Sequence, residues 1–416
     1  MNSEKKYSSE ELLSQLLDHI DDNIYFKDRE SRFILINEAF AKRLNMRPED
    51  VIGKTDFDIF TEEHAQPAFE AEQHIIRTGE PLLGLEEKET WGNRRVTWAS
   101  TTKMPLRNAD GEIVGTFGMS RDITEHKLNE IQLHKYARRL TQINKQMQEE
   151  LSMAANLQHA FLPQFYPDFP LCANAERCVK FAHSYIANTQ ISGDLCAIHK
   201  ISDTKAALLI FDVMGHGVRA ALITAILHTM IGDLSRRDLS PGAFLSEMNR
   251  QLRPMLQSQD SFIFVTAACL ILNAKTGELR GASAGHPPPL IIQTPKGRAP
   301  EAELMHAASH LNGPALAVVE NAEYKTFSLQ LESGDTVLLY TDGLIEEPDK
   351  HAEEFGIENV SKTIAAQEGN EPKAVCQALV DAVQNFNDHE QLSDDVCLLA
   401  FRWNGCFECD WPPPAN

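Results

Sequence analysis

Four places in the second half of this 416-residue chain share one design, an aspartate at the end of a short apolar run beside glycine or another turn former. In ISGDLCAI, Ser192 and Gly193 turn and Asp194 opens the run; in AALLIFDVMGHG, Asp212 closes one ahead of a glycine-rich turn. In TVLLYTDGLIEE, Asp342 closes a run before Gly343, and in LSDDVCLLAF, Asp394 and Asp395 open another. Apolar runs of this length read as strands. Asp212 and Asp342 then lie at outgoing strand ends and Asp194 and Asp394 at incoming ones, so antiparallel neighbours would bring all four to one edge. Carboxylates gathered that closely repel and raise one another's pKa unless a cation neutralises them. Hard oxygen donors with few histidines favour Mg²⁺ or Mn²⁺ over zinc. An isolated Asp-Gly after a strand is usually only a turn; four aspartates of consistent polarity describe a metal cradle.

The elements that must position this edge are legible around it. VRAALITAILHTMI, directly after Gly217, is a helical run, and the strands flank it on both sides in the sequence. Upstream, Glu125 to Phe161 is rich in Lys, Arg, Gln, Glu and Leu with no Gly or Pro, which predicts a long helical connector over 125–162. Its apolar residues Leu133, Tyr136, Leu140, Ile143 and Met147 alternate three and four apart, a coiled-coil-like seam. The step on to Leu151 and Ala154 adds a stutter that locally unwinds a supercoil. Such a stripe needs a partner, and a parallel homodimer is the expectation, against an amphipathic helix lying on its own domain.

The first stretch, 10–124, reads as a mixed α/β unit. LLSQLLDHI has helical spacing, NIYFKD and RFILINEAF are short strands around a charged turn, and Gly53, Gly79 and Pro81 punctuate short helical pieces. RRVTWASTTKMPL and EIVGTFGMSRDIT form a hairpin across RNADG. The words NEAF, VIGKT, TTKMPL and RDIT make this stretch resemble a PAS sensor domain, an antiparallel sheet with helices that binds ligands or pairs with another copy. The flavin-photosensor subset needs a cysteine, and this stretch has none. His64 and His74 are read as surface histidines rather than haem ligands, and Trp91 and Trp98 as core or rim aromatics; the PAS ligand is unknown at this level.

Length and composition fit two domains and a connector, with 43% hydrophobic and 24% charged residues. The formal charge of −21 disfavours nucleic acid as a partner. No apolar run of bilayer-spanning length and no apolar signal core are evident, so the expectation is a cytoplasmic protein without a membrane partner. Eight cysteines without a regular framework fit reduced thiols, and Cys406 and Cys409 in the short tail 404–416 are read as inert.

The second half also carries a specific resemblance. SGD (192–194), DVMGHG (212–217), FVTA (264–267), ASAGHPPPL (282–290), LLYTDGLIE (338–346) and SDD (393–395) stand in the order of the PPM (PP2C-type) serine/threonine phosphatases, RsbU/SpoIIE branch, over 168–403. LQHAFLP (157–163) resembles the segment that precedes the catalytic domain in that branch. The resemblance implies an α+β chain: PAS domain, connector helix, and a phosphatase β-sandwich flanked by helices. It also implies two ions, Mn²⁺ or Mg²⁺, bridged by Asp212 with the Val213 carbonyl as a further ligand, Asp342 and Asp394 on one ion, and Asp194 on the other side directly or through water. His216 could act as general acid or serve only its turn. His286 is assigned to the proline turn, and Asp395 either supports a ligand or caps a strand. Departures from the branch's pattern, LCAI after Asp194 and Cys397 after Asp395, spare the proposed ligands.

The function implied is a sensor-regulated phosphatase acting on a phosphorylated STAS-type anti-sigma-factor antagonist, homodimeric through PAS domain and connector. The competing readings are a catalytically silent dimeric signalling scaffold and a two-metal hydrolase of nucleotides; intact aspartates oppose the first and the lack of a Walker-type loop the second.

Overall fold

The computed structural model describes residues 8–91, 95–169, 178–257, 262–295, 298–305, 308, 310–388 and 391–405; Cys406 and Cys409 lie outside them. The chain divides into two units, Met1–Asn144 and Lys145–Asn416.

The first unit is built on a five-stranded sheet of order β2-β1-β5-β4-β3. Its strands are β1 (Asn23–Asp28), β2 (Phe33–Ile36), β3 (Leu82–Thr90), β4 (Val96–Arg107) and β5 (Ile113–Asp122), all paired antiparallel. Helices α2 (Glu38–Leu44), α3 (Pro48–Val51) and α4 (Glu62–Thr78) fall between β2 and β3. Asn37 starts α2 by accepting a hydrogen bond from the Phe40 amide, and left-handed Asn45 ends it. Tyr25, Phe33, Ile36, Phe40 and Val51 form the apolar core. The sequence reading missed β3. Between Pro81 and the expected hairpin it placed no strand, but LLGLEEKET is an extended strand, mostly exposed, and therefore lacks the apolar alternation that announces one. Helix α1 (Ser9–His19) carries a complete capping box from Ser8 and Glu11, yet buries none of its residues.

Helix α5 runs from Thr124 to His159. Leu133, Tyr136, Leu140, Ile143 and Met147 are all exposed along it, while Gln158 is its one buried residue.

The second unit contains two five-stranded sheets. The strands that matter for the site are β7 (Asp194–Lys200) and β8 (Lys205–Val213) in the first sheet, and β14 (Thr336–Tyr340) and β15 (Val396–Trp403) in the second. With β6 (Val179–Ile186), β9 (Val265–Asn273), β10 (Glu278–Ala284), β11 (Leu290–Gln293), β12 (Glu301–Leu304) and β13 (Phe327–Gln330), the first has the order β13-β10-β9-β8-β7 and the second β12-β11-β14-β15-β6. Strand β8 is buried on both faces. Leu208 and Ile210 join Val337, Leu339, Leu399 and Phe401 in the core between the sheets. Leu209, Phe211 and Val213 turn outward onto α6 (Val218–Leu234) and α7 (Pro241–Leu256). The second sheet's outer face packs Leu338, Tyr340 and Leu398 on the helices Gly356–Ala365 and Pro372–Phe386. This period-2 alternation with apolar residues on both faces is what a covered sandwich demands, and it matches the expected α+β architecture.

One sequence expectation needs correction. The stretch Val218–Arg237 is long and apolar enough to reach across a bilayer, with mean hydropathy 1.3. Its Ile223, Leu227 and Ile231 are spent on the core against β8, so its apolarity has a packing cause.

Candidate active site

Strand pairing creates the site. β7 and β8 are antiparallel with Asp194 directly opposite Asp212, so the incoming end of one strand meets the outgoing end of the other. β14 and β15 pair in the same sense, Tyr340 opposite Leu398, which sets Asp342 and Asp394 just beyond the matched ends of the second sheet. Thr341 ties the sheets together: its hydroxyl donates to Asp194 Oδ2 at 2.8 Å and accepts from the Cys397 amide at 2.9 Å.

The electrostatics follow from this convergence. Burial, then Asp212, pushes the Asp194 carboxyl well above the usual carboxylate range, and the Thr341 hydroxyl only partly offsets this. Burial, then the charges of Asp342, Asp394, Asp395 and Glu346, pushes Asp212 up to about 7. Asp342 is raised by burial and by Asp394. Every large charge acting on Asp212 is another carboxylate, which is the field a cation relieves. Among the described residues, no three such side chains close on one point as they stand. The donor set is nonetheless all oxygen and suits Mg²⁺ or Mn²⁺. The structure thus brings Asp194, Asp212, Asp342 and Asp394 to one edge, and the residues fit the ions.

The backbone around them is close-fitting. At Gly193 a Cβ would lie 2.7 Å from the Val213 carbonyl oxygen and 3.0 Å from that of Gly215. At Gly343 it would lie 2.1 Å from the Asp395 carbonyl oxygen. Only glycine allows these approaches. His216 is exposed in a turn whose flanking Gly215 and Gly217 adopt φ of 88° and 86°. His286 is buried: its Nδ1 meets Thr266 Oγ1 at 2.8 Å, and burial drives it down to about 3, hence neutral.

Asp395, which the sequence left open between supporting a ligand and capping a strand, is buried; its Oδ1 accepts from the Asn188 amide at 2.8 Å and its Oδ2 from the Gly193 amide at 2.9 Å, which fixes the turn ahead of Asp194. Three further residues at the site were missed in the sequence. Glu347, fully buried, accepts from the Ser393 amide at 2.8 Å and its hydroxyl at 2.7 Å, holding the loop that carries Asp394. Glu346 adds a further carboxylate beside Asp342. Gln158, at the end of α5, donates to the Ser192 carbonyl at 2.6 Å and to Thr224 Oγ1 at 3.1 Å, and accepts from the Ser192 amide at 3.0 Å. The LIEE and LQHAFLP words contain the only signals that could have pointed to Glu346, Glu347 and Gln158.

Residues 202–404 match the family described as Stage II sporulation protein E (SpoIIE), and residues 17–128 match the one described as PAS fold. Phosphoserine phosphatase RsbP of Bacillus subtilis (strain 168) is 32% identical over 163 residues, 39% of this chain and 38% of RsbP. Phosphoserine phosphatase RsbU of the same strain is 25% identical over 263 residues, 62% of this chain and 72% of RsbU. The match therefore spans well under half of RsbP. The SiaA-PP2C domain of Pseudomonas aeruginosa aligns with a TM-score of 0.51 at 18% identity, covering 62% of this chain and 98% of that domain, a likeness of fold alone. Residues 202–404 are therefore similar to the SpoIIE family, following a stretch, residues 17–128, that is similar to the PAS fold.

Proposed function

We propose that this chain is a metal-dependent protein-serine/threonine phosphatase under the control of its PAS domain. The observation that carries the reading is the register pair Asp194–Asp212, faced by Asp342 and Asp394 at the ends of the opposing sheet. Asp212 and the Val213 carbonyl, with Asp342 and Asp394 on one side and Asp194 on the other, would hold two Mn²⁺ or Mg²⁺ ions. When bound, such ions supply Lewis acidity and a water deprotonated near neutral pH for in-line attack on phosphorus.

The chain's own residues do the positioning. Thr341 orients the Asp194 carboxylate, Asp395 fixes the Gly193 turn, and Gly193 and Gly343 leave space where a side chain would collide. His216, exposed in the glycine turn that follows Asp212, would donate a proton to the departing serine or threonine oxygen. By similarity to RsbP and RsbU the substrate is a phosphoserine or phosphothreonine, here on a STAS-type anti-sigma-factor antagonist. The exposed seam on α5 supports a homodimer through the connector and PAS unit, with a change in pairing passed along the helix to Gln158 and the Ser192 turn.

The test is hydrolysis of p-nitrophenyl phosphate and of a phosphorylated STAS protein, with Mn²⁺ present or chelated, comparing wild type with Asp212→Asn. Metal-dependent release of phosphate that the substitution abolishes is the expected result. Equal activity in Asp212→Asn would overturn the site, and no turnover of either substrate would favour the signalling scaffold.

A further inference from the structure

The interior of the PAS fold is charged where a protein core is ordinarily apolar. Lys27 on β1 is 1% exposed and is shared by two buried carboxylates, Asp56 and Glu72, with Glu72 Oε1 at 2.6 Å. Lys103 on β4 meets Glu87 at 3.2 Å, and Glu89 is matched by Arg43 at 2.6 Å. Within the innermost group two lysines, Lys27 and Lys103, stand against three carboxylates, Asp56, Glu72 and Glu87. One negative charge is left over. Its location is marked by Glu72 Oε2, a buried oxygen with no hydrogen-bond partner among the described residues. A buried charge without a partner is costly, so a group that supplies a donor there is favoured.

Glu72 lines a cavity of about 30 Å³. The space takes about two water-sized groups, which excludes haem and any other large cofactor in this state. The walls combine the carboxylates with the rings of Tyr25, Phe33, Phe40 and Phe60. These rings already hold one cation, since Lys27 Nζ sits 4.4 Å from the Phe33 centroid and 5.3 Å from that of Tyr25. Aromatic faces joined to a surplus carboxylate form a recognition surface for ammonium-type cations. An anion would meet the surplus negative charge, and a divalent metal would have to evict the Lys27 ammonium from between its two carboxylates.

We infer that this cavity binds ammonium or a very small primary amine, whose N–H groups donate to Glu72 Oε2 and whose charge balances the buried network. Burial raises the Glu72 carboxyl despite Lys27, in keeping with a site that draws either a proton or another cation. Asn23, Ser120 and Tyr25 also line the cavity, and their side chains carry acceptors for the remaining N–H groups. The inference concerns the PAS unit alone and does not depend on the phosphatase chemistry.

The experiment uses the full chain with methylammonium chloride against matched sodium chloride, read as the melting temperature of the PAS unit and as heat of binding. The expected result is saturable binding and a higher melting temperature with methylammonium, no effect of tetramethylammonium, which exceeds the cavity, and binding at least about tenfold weaker in Glu72→Gln, as loss of a charged hydrogen-bond partner predicts. No response of wild type to methylammonium, or an equal response in Glu72→Gln, overturns the proposal. Should Glu72→Gln fail to fold, nitrogen-15 ammonium NMR on the wild type decides: a separate, exchange-protected bound signal displaced by methylammonium supports the site, and a single averaged free signal refutes it.

Discussion

Replacing Asp212 by asparagine should make the metal-free protein more stable while destroying its activity. Asp212 is held at about 7 by burial and by facing carboxylates, against 3.8 for an ordinary aspartate. A folded-state pKa above the unfolded one means that the folded chain binds the extra proton. This group's contribution to stability is then fully present below about pH 3.8 and is lost as pH rises through about 7. A shift of about three units corresponds to about 4 kcal/mol. Because the carboxyl keeps some contact with water and its neighbours can relax, about 1–3 kcal/mol should be recovered on removing the charge. In a unit of this size that is roughly 2–10 °C in melting temperature. The assay is calorimetric melting in EDTA at pH 4 and pH 8, followed by Mn²⁺ titration of phosphatase activity. Asp212→Asn should melt with wild type at pH 4, above it at pH 8, and gain little from Mn²⁺. A variant less stable than wild type at pH 8 in EDTA would refute the reasoning that an unrelieved carboxylate cluster dominates this edge.

Three further outcomes are expected. Gln158→Ala strips three hydrogen bonds and leaves the buried Ser192 amide and carbonyl unpaired, a loss of roughly 2–4 kcal/mol by urea unfolding of the phosphatase unit, with weaker Mn²⁺ activation; unchanged stability would show that the contact is idle. Gly193→Ala places a Cβ 2.7 Å from the Val213 carbonyl oxygen, so the Mn²⁺ concentration for half-maximal activity should rise about tenfold or more while the fold survives by circular dichroism. Leu140→Glu puts a charge into the exposed α5 seam, and the sedimentation mass at micromolar concentration should fall from dimer to monomer; a wild-type monomer would remove the paired-helix proposal itself.

The sequence by itself determined the ends of the phosphatase strands and what stands on them. Short apolar runs with an aspartate at one end carry their own polarity, so the meeting of Asp194 with Asp212, and their approach to Asp342 and Asp394, followed from antiparallel pairing alone. The connector was equally legible, because a long stretch without glycine or proline with a three-four apolar spacing is a local signal. Strand β3 was not, since its side chains face solvent and leave no alternation to read. Tertiary structure decided the rest through contacts between residues far apart in the chain: Thr341 on Asp194, Asp395 on the Gly193 amide, Gln158 on Ser192, and Lys27 on Glu72. A hydrogen bond or ion pair across such a separation imposes no periodicity on the sequence, and its partners become visible only when packing between the sheets, or inside the PAS fold, removes the water that would otherwise satisfy them.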